Sequence, residues 1–402
     1  MKYPKEYLEE IKSRLKVSTV VGRSVNLKKR GKEFIGLSPF TNEKTPSFTV
    51  NDQKGFYHCF SSNEHGNIFD FLMKTTNTKF GEAVRTLAVE AGLPVYKFTK
   101  LDEEREKKWQ LYSKILEQYK SYYHNELKNK KSKELESYLS KRGLTDKEIN
   151  YFKIGFVPKE AVFFDKLKDN FSESDILNSG LFYFDEKNKK YIERFRDRLI
   201  FPINGLTGST IAFGGRIISN QKLAKYINSS ETPFFKKGNS LFNLDKSRHY
   251  SANHNEVFLV EGYMDVVTLT KYGILNTVAN LGTALTEKQV EKVWRFFNHI
   301  IICFDGDQGG VNAAVRAAER LLSIIRPNFK ISFLFLPKNK DPDNFIMENG
   351  KDYFLSYTNK KISIYDLIWN HHYSDIDINQ PSSLAQLDKI LKNQSNKIKD
   401  EI

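Results

Sequence analysis

Three stretches in the second half of the chain are apolar without alternation: Val257–Val260, His299–Phe304 and Ile331–Leu336. Continuous runs rich in Val, Ile and Phe suggest strands buried on both faces. Helix-like segments separate them, so a parallel sheet is expected. The first 95 residues read differently. A helix-period segment, Tyr7 to Leu15, leads into short strand-like pieces at Val25–Leu27, Lys32–Ile35, Ser47–Val50 and Gly55–Phe60. Helices are expected over Asn67–Lys74 and Phe80–Ala91, closed by the stop Gly92-Leu93-Pro94. Residues 96–135, dense in Lys, Glu and Tyr, read as a linker followed by a long charged helix. Residues 136–254 mix short helices and strands, 255–340 hold the parallel-sheet block, and 341–402 look helical. The expected class is α/β in the core and mixed α+β overall.

Each apolar run ends in acid. Val260 leads into Glu261, with Asp265 four residues on; Phe304 leads into Asp305-Gly306-Asp307; Leu336 leads, after a Lys-rich turn, into Asp341-Pro342-Asp343. Ligands of parallel sheets bind at the carboxyl ends of the strands. Six carboxylates on one rim repel one another unless cations sit among them. Hard divalent cations such as magnesium take oxygen ligands of this kind. The implied chemistry is metal-assisted work on a phosphate. The alternative for these acids is helix capping, most plainly for Asp305 and Asp307 ahead of an Ala-rich helix, and a plain turn for Asp-Pro-Asp. Capping does not explain three clusters at equivalent strand ends.

Charge sharpens the picture. The chain of 402 residues carries a formal net charge of +14, which favours a polyanionic partner. Together with phosphate-handling carboxylates it points to nucleic acid. No run approaches the roughly 20 apolar residues of a membrane span, and no signal peptide opens the sequence. Two cysteines, Cys59 and Cys303, exclude a disulfide framework and make the cytosol the default. Cys303, in mid-strand, reads as a buried small hydrophobe.

Taken together, these blocks resemble the bacterial replicative primases of the DnaG family nearly end to end. Glu261-Gly262-Tyr263-Met264-Asp265, followed by Asp305-Gly306-Asp307 and then Asp341-Pro342-Asp343, looks like the Toprim signature. Toprim also occurs in topoisomerases and nucleases. The upstream segments narrow the match: Phe195–Ile203, Ala212–Arg216, Lys225–Ser229 and Phe235–Gly238 with Leu241-Phe242. At the N-terminus, Pro39–Phe48 and Phe56–Phe60 look like the family's zinc-binding domain. There the sequence departs from the pattern. The family's C-x-x-H and C-x-x-C positions read Ser38-x-x-Thr41 and Cys59-x-x-Ser62. Neutral hydroxyls are poor substitutes for thiolate or imidazole, so zinc is not expected. His58 cannot replace them, because neighbours on a strand face opposite ways. An aromatic core of Phe34, Phe40, Phe48, Phe56, Tyr57 and Phe60 is expected to hold this zinc-ribbon-like domain together.

The resemblance implies a DNA primase, a DNA-directed RNA polymerase that makes short RNA primers on single-stranded DNA by nucleotidyl transfer. Glu261, Asp305, Asp307, Asp341 and Asp343 would hold two or more magnesium or manganese ions. Glu261 would ligate or act as general base, and Asp265 would orient or assist. Arg142, Arg194, Arg196, Arg216, Lys225 and Lys237 would meet template or nucleotide phosphates, with Tyr226 and Asn228 at a base. In the N-terminal domain Lys44, Lys54, His58 and aromatics interleave as a single-strand-binding face would. Implied partners are single-stranded DNA, nucleoside triphosphates, the RNA primer product and the replicative helicase, whose docking domain would lie beyond Ile402. A monomer in the cytoplasm at the replication fork is expected. Two other readings stay open: another Toprim enzyme, or a non-catalytic nucleic-acid-binding relative.

Overall fold

The computed structural model describes residues 3–31, 33–52, 54–129, 132–161, 163–219, 223–251, 254–282, 284–304, 306–374 and 380–398. The chain forms two compact units, 1–108 and 109–402. The division falls inside the helix Lys100–Asn129.

The first unit is built on an antiparallel sheet with its strands in chain order: Lys28–Arg30, Glu33–Gly36, Phe48–Asn51, Phe56–Cys59 and His65–Gly66. Helices Lys5–Arg14, Val17–Val21, Ile68–Thr76 and Phe80–Glu90 accompany it. The helix Ile68–Thr76 starts at a capping box between Asn67 and Asp70. Alternation along the fourth strand sends Tyr57 and Cys59 inward, to pack with Phe48, Val50, Phe71 and Leu87. The first strand begins three residues later than the sequence pattern placed it, since Val25 is buried ahead of the sheet. Two of the six expected core aromatics are not core. Phe56 and Phe60 are 37% and 69% exposed, because period-two alternation sets them opposite Tyr57 and Cys59.

In the second unit the helix Lys100–Asn129 is no mere charged spacer. Tyr112, Ile115, Leu116, Tyr119, Tyr123 and Leu127 recur at helical spacing and are buried. A four-stranded antiparallel sheet follows, ordered Tyr226–Asn228, Thr210–Ile217, Arg198–Asn204, Gly155–Val157. The larger sheet is ordered Thr277–Ala279, Glu256–Val260, His299–Phe304, Lys330–Phe335, Ile362–Ser363. Its first four strands are parallel, and the last is an antiparallel edge. The three apolar runs are thus its central strands. Phe258, Val260, Ile301, Cys303 and Leu334 enter one core, and Val257, Leu259, Ile300, Ile302 and Phe333 enter another. Burial on both faces is why the runs do not alternate. Thr277–Ala279 and Ile362–Ser363 leave no signal in the sequence, being too short to show a period. Helices Pro342–Tyr357, Ile364–Tyr373 and Pro381–Ser395 form most of the C-terminal region. No helix among the described residues is long and apolar enough to cross a membrane.

Candidate metal centre and nucleic-acid face

The acidic groups at the strand ends divide into an outer and an inner set. Glu261 is exposed directly after the strand Glu256–Val260. Asp307 is exposed and Asp341 half-buried. Both cap helices: Asp307 Oδ1 accepts from the Gly310 amide at 2.7 Å, and Asp341 Oδ1 from the Asn344 amide at 2.8 Å. The capping alternative therefore holds for these two. It does not compete with ligation, since each carboxylate has two oxygens and the cap uses one. Asp305 lies outside the described residues. The glycine beside it is sterically required. A Cβ at Gly306 would lie 1.8 Å from the Leu336 carbonyl oxygen, so only glycine lets this acidic turn pack against the end of the next strand.

Asp265 and Asp343 are not on the rim, contrary to the sequence expectation. Asp265 is 8% exposed. Its Oδ2 accepts from the Gly262 amide at 2.9 Å and its Oδ1 from the Asp343 amide at 3.2 Å. Asp343 is 2% exposed; it accepts from the Thr268 hydroxyl at 2.8 Å and faces Arg142 Nη1 at 3.4 Å. Backbone amides of two helix starts hold the Asp265 carboxylate inside, whereas Asp343 is held by the Thr268 hydroxyl and the Arg142 guanidinium. Burial, and then the charges of Asp341 and Asp343, push the Asp265 carboxyl up to about 8. Burial and Asp341 also raise Asp343, opposed by Thr268, Arg142 and Arg216. Negative charge is crowded here, and every donor is an oxygen. That donor set fits a hard divalent cation. Among the described residues, however, no three such groups converge closely enough to hold one ion.

The basic residues fall into two groups. Lys225 is exposed, while Arg196, Arg194 and Lys237 are partly so. Arg194 Nε donates to the Gly180 carbonyl at 3.2 Å. Arg142 belongs to the acidic network just described. Arg216 is 5% exposed; its guanidinium bonds the Tyr226 hydroxyl and lies 5.0 Å from that ring. Asn228 Nδ2 donates to the Leu281 carbonyl at 2.7 Å, and its Oδ1 accepts from Tyr263. Asn228 thus ties the antiparallel sheet to the acidic end of the parallel one, while Arg216 and Tyr226 pair across neighbouring strands of the antiparallel sheet. Tyr226, expected at a base, already has its hydroxyl and one face engaged. The sequence reading missed Thr268 and Tyr263. Thr268 lies three residues past Asp265 on one helix, a spacing that puts both on one side. Tyr263 stands inside the Glu261–Asp265 motif, but nothing in its spacing pointed to a bond with Asn228. Beside Glu261 opens a cavity of about 270 Å³ with Asn280, Arg316 and Arg320 in its lining.

The zinc-ribbon positions do come together in the first unit. Cys59 Sγ lies 3.1 Å from Ser38 Oγ and 3.3 Å from Ser61 Oγ, and Thr41 Oγ1 lies 2.8 Å from Ser61 Oγ. Burial works to raise the Cys59 thiol, but hydrogen bonds with Ser38, Ser61 and Ser62 outweigh it and bring it to about 6. His58 packs instead on Phe60, with ring centroids 4.4 Å apart. One thiol among hydroxyls does not fit zinc, which needs four sulfur or nitrogen donors.

Three family descriptions match the chain in order: "CHC2 zinc finger" over 3–103, "DNA primase catalytic core, N-terminal domain" over 122–248, and "Toprim-like" over 258–346. A DNA primase of Rickettsia prowazekii is 34% identical over 406 residues, covering 100% of this chain and 67% of the relative. The Escherichia coli DNA primase is 35% identical over 392 residues, covering 96% of this chain and 66% of the relative. The chain thus spans about two thirds of the curated relatives it matches. Among solved structures, one described as the DnaG primase catalytic domain bound to ssDNA superposes with a TM-score of 0.67. It is 30% identical and covers 74% of this chain and 96% of its own.

Proposed function

The chain belongs to the DnaG family of DNA primases, and from that premise we propose that it is a DNA-dependent RNA polymerase making short primers on single-stranded DNA. The reaction joins two nucleoside triphosphates: the 3′-hydroxyl of one attacks the α-phosphorus of the other, and pyrophosphate leaves. The observation that carries this reading is the layered acidic site, with outer carboxylates at strand ends above a buried pair that fixes the backbone beneath them. Glu261, Asp305, Asp307 and Asp341 would hold magnesium or manganese, which would supply the charge that activates the hydroxyl and stabilises the leaving pyrophosphate. Glu261 would ligate or act as the general base that takes the hydroxyl proton. Asp265 and Asp343 position: they lock the Gly262 turn to the start of the helix Pro342–Tyr357, with Thr268 and Arg142 holding Asp343.

Arg316 and Arg320, in the cavity beside Glu261, suit nucleotide phosphates, and Lys225, Arg194, Arg196 and Lys237 suit the template backbone. Single-stranded DNA, nucleoside triphosphates and the replicative helicase are the partners we assign, in the cytoplasm at the fork. The test is primer synthesis on single-stranded DNA with labelled nucleotides and magnesium. Asp307→Asn is the decisive variant. Asn caps helices as well as Asp does, so it removes the ligand charge and keeps the fold. Loss of synthesis with an unchanged melt supports the assignment; full synthesis would refute it.

A further inference from the structure

The two turns that bear the ribbon positions, 38–41 and 59–62, are cross-linked by side chains other than the four ribbon positions, among them Glu43 and Ser47 of the Pro39–Phe48 segment. Glu43 is the centre. Its Oε1 accepts from the Ser38 amide at 2.7 Å and the Ser47 amide at 3.0 Å, and its Oε2 from the Ser47 hydroxyl at 2.6 Å. The Ser47 hydroxyl also lies 2.8 Å from Ser61 Oγ. Ser61 in turn reaches Thr41 and Cys59. Ser38 Oγ accepts from the Phe40 and Thr41 amides at 3.0 and 3.2 Å, closing its own turn, and meets Cys59 Sγ. The network ties together the same two turns that four ligands around a zinc ion would.

We propose that this Glu43-centred cluster of hydroxyls replaces the metal of the ribbon, so that the N-terminal unit folds without zinc. The substitution is physically complete in two respects. Hydroxyls both donate and accept, so Ser38, Ser47, Ser61 and Thr41 can chain together where thiolates would repel without a cation. A carboxylate accepting several hydrogen bonds supplies the fixed negative charge around which the donors gather, in bonds stronger than neutral ones. Beneath the cluster, Phe48, Tyr57 and Phe71 give the core that lets a small domain dispense with a metal: Phe48 and Tyr57 stack at 5.2 Å and Tyr57 meets Phe71 edge-on at 5.4 Å. The cross-link also runs through Ser61, one residue away from the position at which the family pattern carries its last cysteine.

Folding of the N-terminal unit stands apart from nucleotidyl transfer and is tested separately. The test uses the full chain and three readings: zinc content by elemental analysis, melting with and without a strong chelator, and hydrogen-exchange protection across residues 47–61. Far less than one zinc per chain and no effect of chelator are expected. Glu43→Gln and Ser61→Ala should each reduce protection across 47–61 and leave the parallel sheet of the second unit unchanged. Asn42→Ala, on the same turn and exposed, should leave protection as it was. Conversely, Ser38→Cys, Thr41→His and Ser62→Cys combined should gain one zinc per chain, because the turns already stand in ribbon geometry. Stoichiometric zinc in the unaltered protein, lost with protection on chelation, would overturn the proposal. So would full protection in both Glu43→Gln and Ser61→Ala, or an equal loss in Asn42→Ala.

Discussion

Two places in this chain correspond to metal sites of the family, and they have fared differently. At the strand ends of the second unit every acidic position of the pattern is still Glu or Asp. At the ribbon turns of the first unit only Cys59 is left of four. The difference follows from what each site is for. A hydrogen-bond network can take over the task of holding two turns together, because that task is geometric. No arrangement of hydroxyls can take over the neutralisation of a leaving pyrophosphate, because that requires positive charge at the reacting atoms. The two sites also build themselves differently. The acidic site uses buried carboxylates to place exposed ones; the ribbon uses one half-buried carboxylate to gather neutral groups.

The contrast can be tested from its strongest consequence down. Asp307→Asn and Glu261→Gln should each lower primer synthesis by roughly 100-fold or more, as expected when several kcal/mol of charge stabilisation is lost. Melting temperature should stay within a few degrees; a collapsed fold would instead make the outer acids structural. Arg142→Ala and Thr268→Val act one layer further in. Each should raise the magnesium concentration needed for half-maximal synthesis by about 10-fold, the usual effect of removing a partner behind a ligand set. A titration showing no shift would separate the inner pair from the metal. Lys225→Ala should make the salt slope of single-strand binding shallower by about 0.7 for each phosphate that the lysine neutralises. Arg216→Ala should behave otherwise and lower stability, because that guanidinium is buried against Tyr226. Equal salt effects in both would show that Arg216 reaches DNA.

The smallest effect is expected in the ribbon. A hydrogen bond from Ser47 most of all, with others from Ser38 and Ser61 and against some desolvation, holds the Glu43 carboxyl at about 2, below its ordinary 4.5. A group lowered on folding stabilises above its unfolded value and loses that contribution as pH falls through the folded one. The Glu43 contribution to protection across 47–61 should therefore be intact above about 4.5 and decline toward 2. Cys59, at about 6, is neutral across that window and does not contribute. Hydrogen exchange at stepped pH reads this directly, and Glu43→Gln should flatten the dependence. A steep decline that persists in the variant would assign the acid sensitivity elsewhere.

The legible parts of the fold were those with a long pattern. The strands Glu256–Val260, His299–Phe304 and Lys330–Phe335 announced themselves because both faces are buried and nearly every residue is apolar for the same reason. The edge strands of two and three residues carried no period. The core face of the helix Lys100–Asn129 was hidden beneath its charge, since a long helix can present Lys and Glu outward and still bury Tyr119 and Tyr123. Within the site, the strand-end position of the acids was readable, but their division was not. Asp343 and Asp341 are two residues apart and identical in type; one is buried and the other half-exposed only because Thr268 and Arg142 lie beneath the helix start.

The sequence by itself determined the three central strands, the acids that end them, the glycine between Asp305 and Asp307, and the loss of three of the four ribbon ligands. These depend on residue type and local spacing, which a chain carries without folding. Only the tertiary structure decided which carboxylates lie inside, that Arg216 and Tyr226 face each other, and that Glu43 and Ser61 join two turns. Those outcomes depend on residues distant in sequence meeting at hydrogen-bonding distance. The energy of a buried polar group is set by the partner it finds there rather than by its own chemistry.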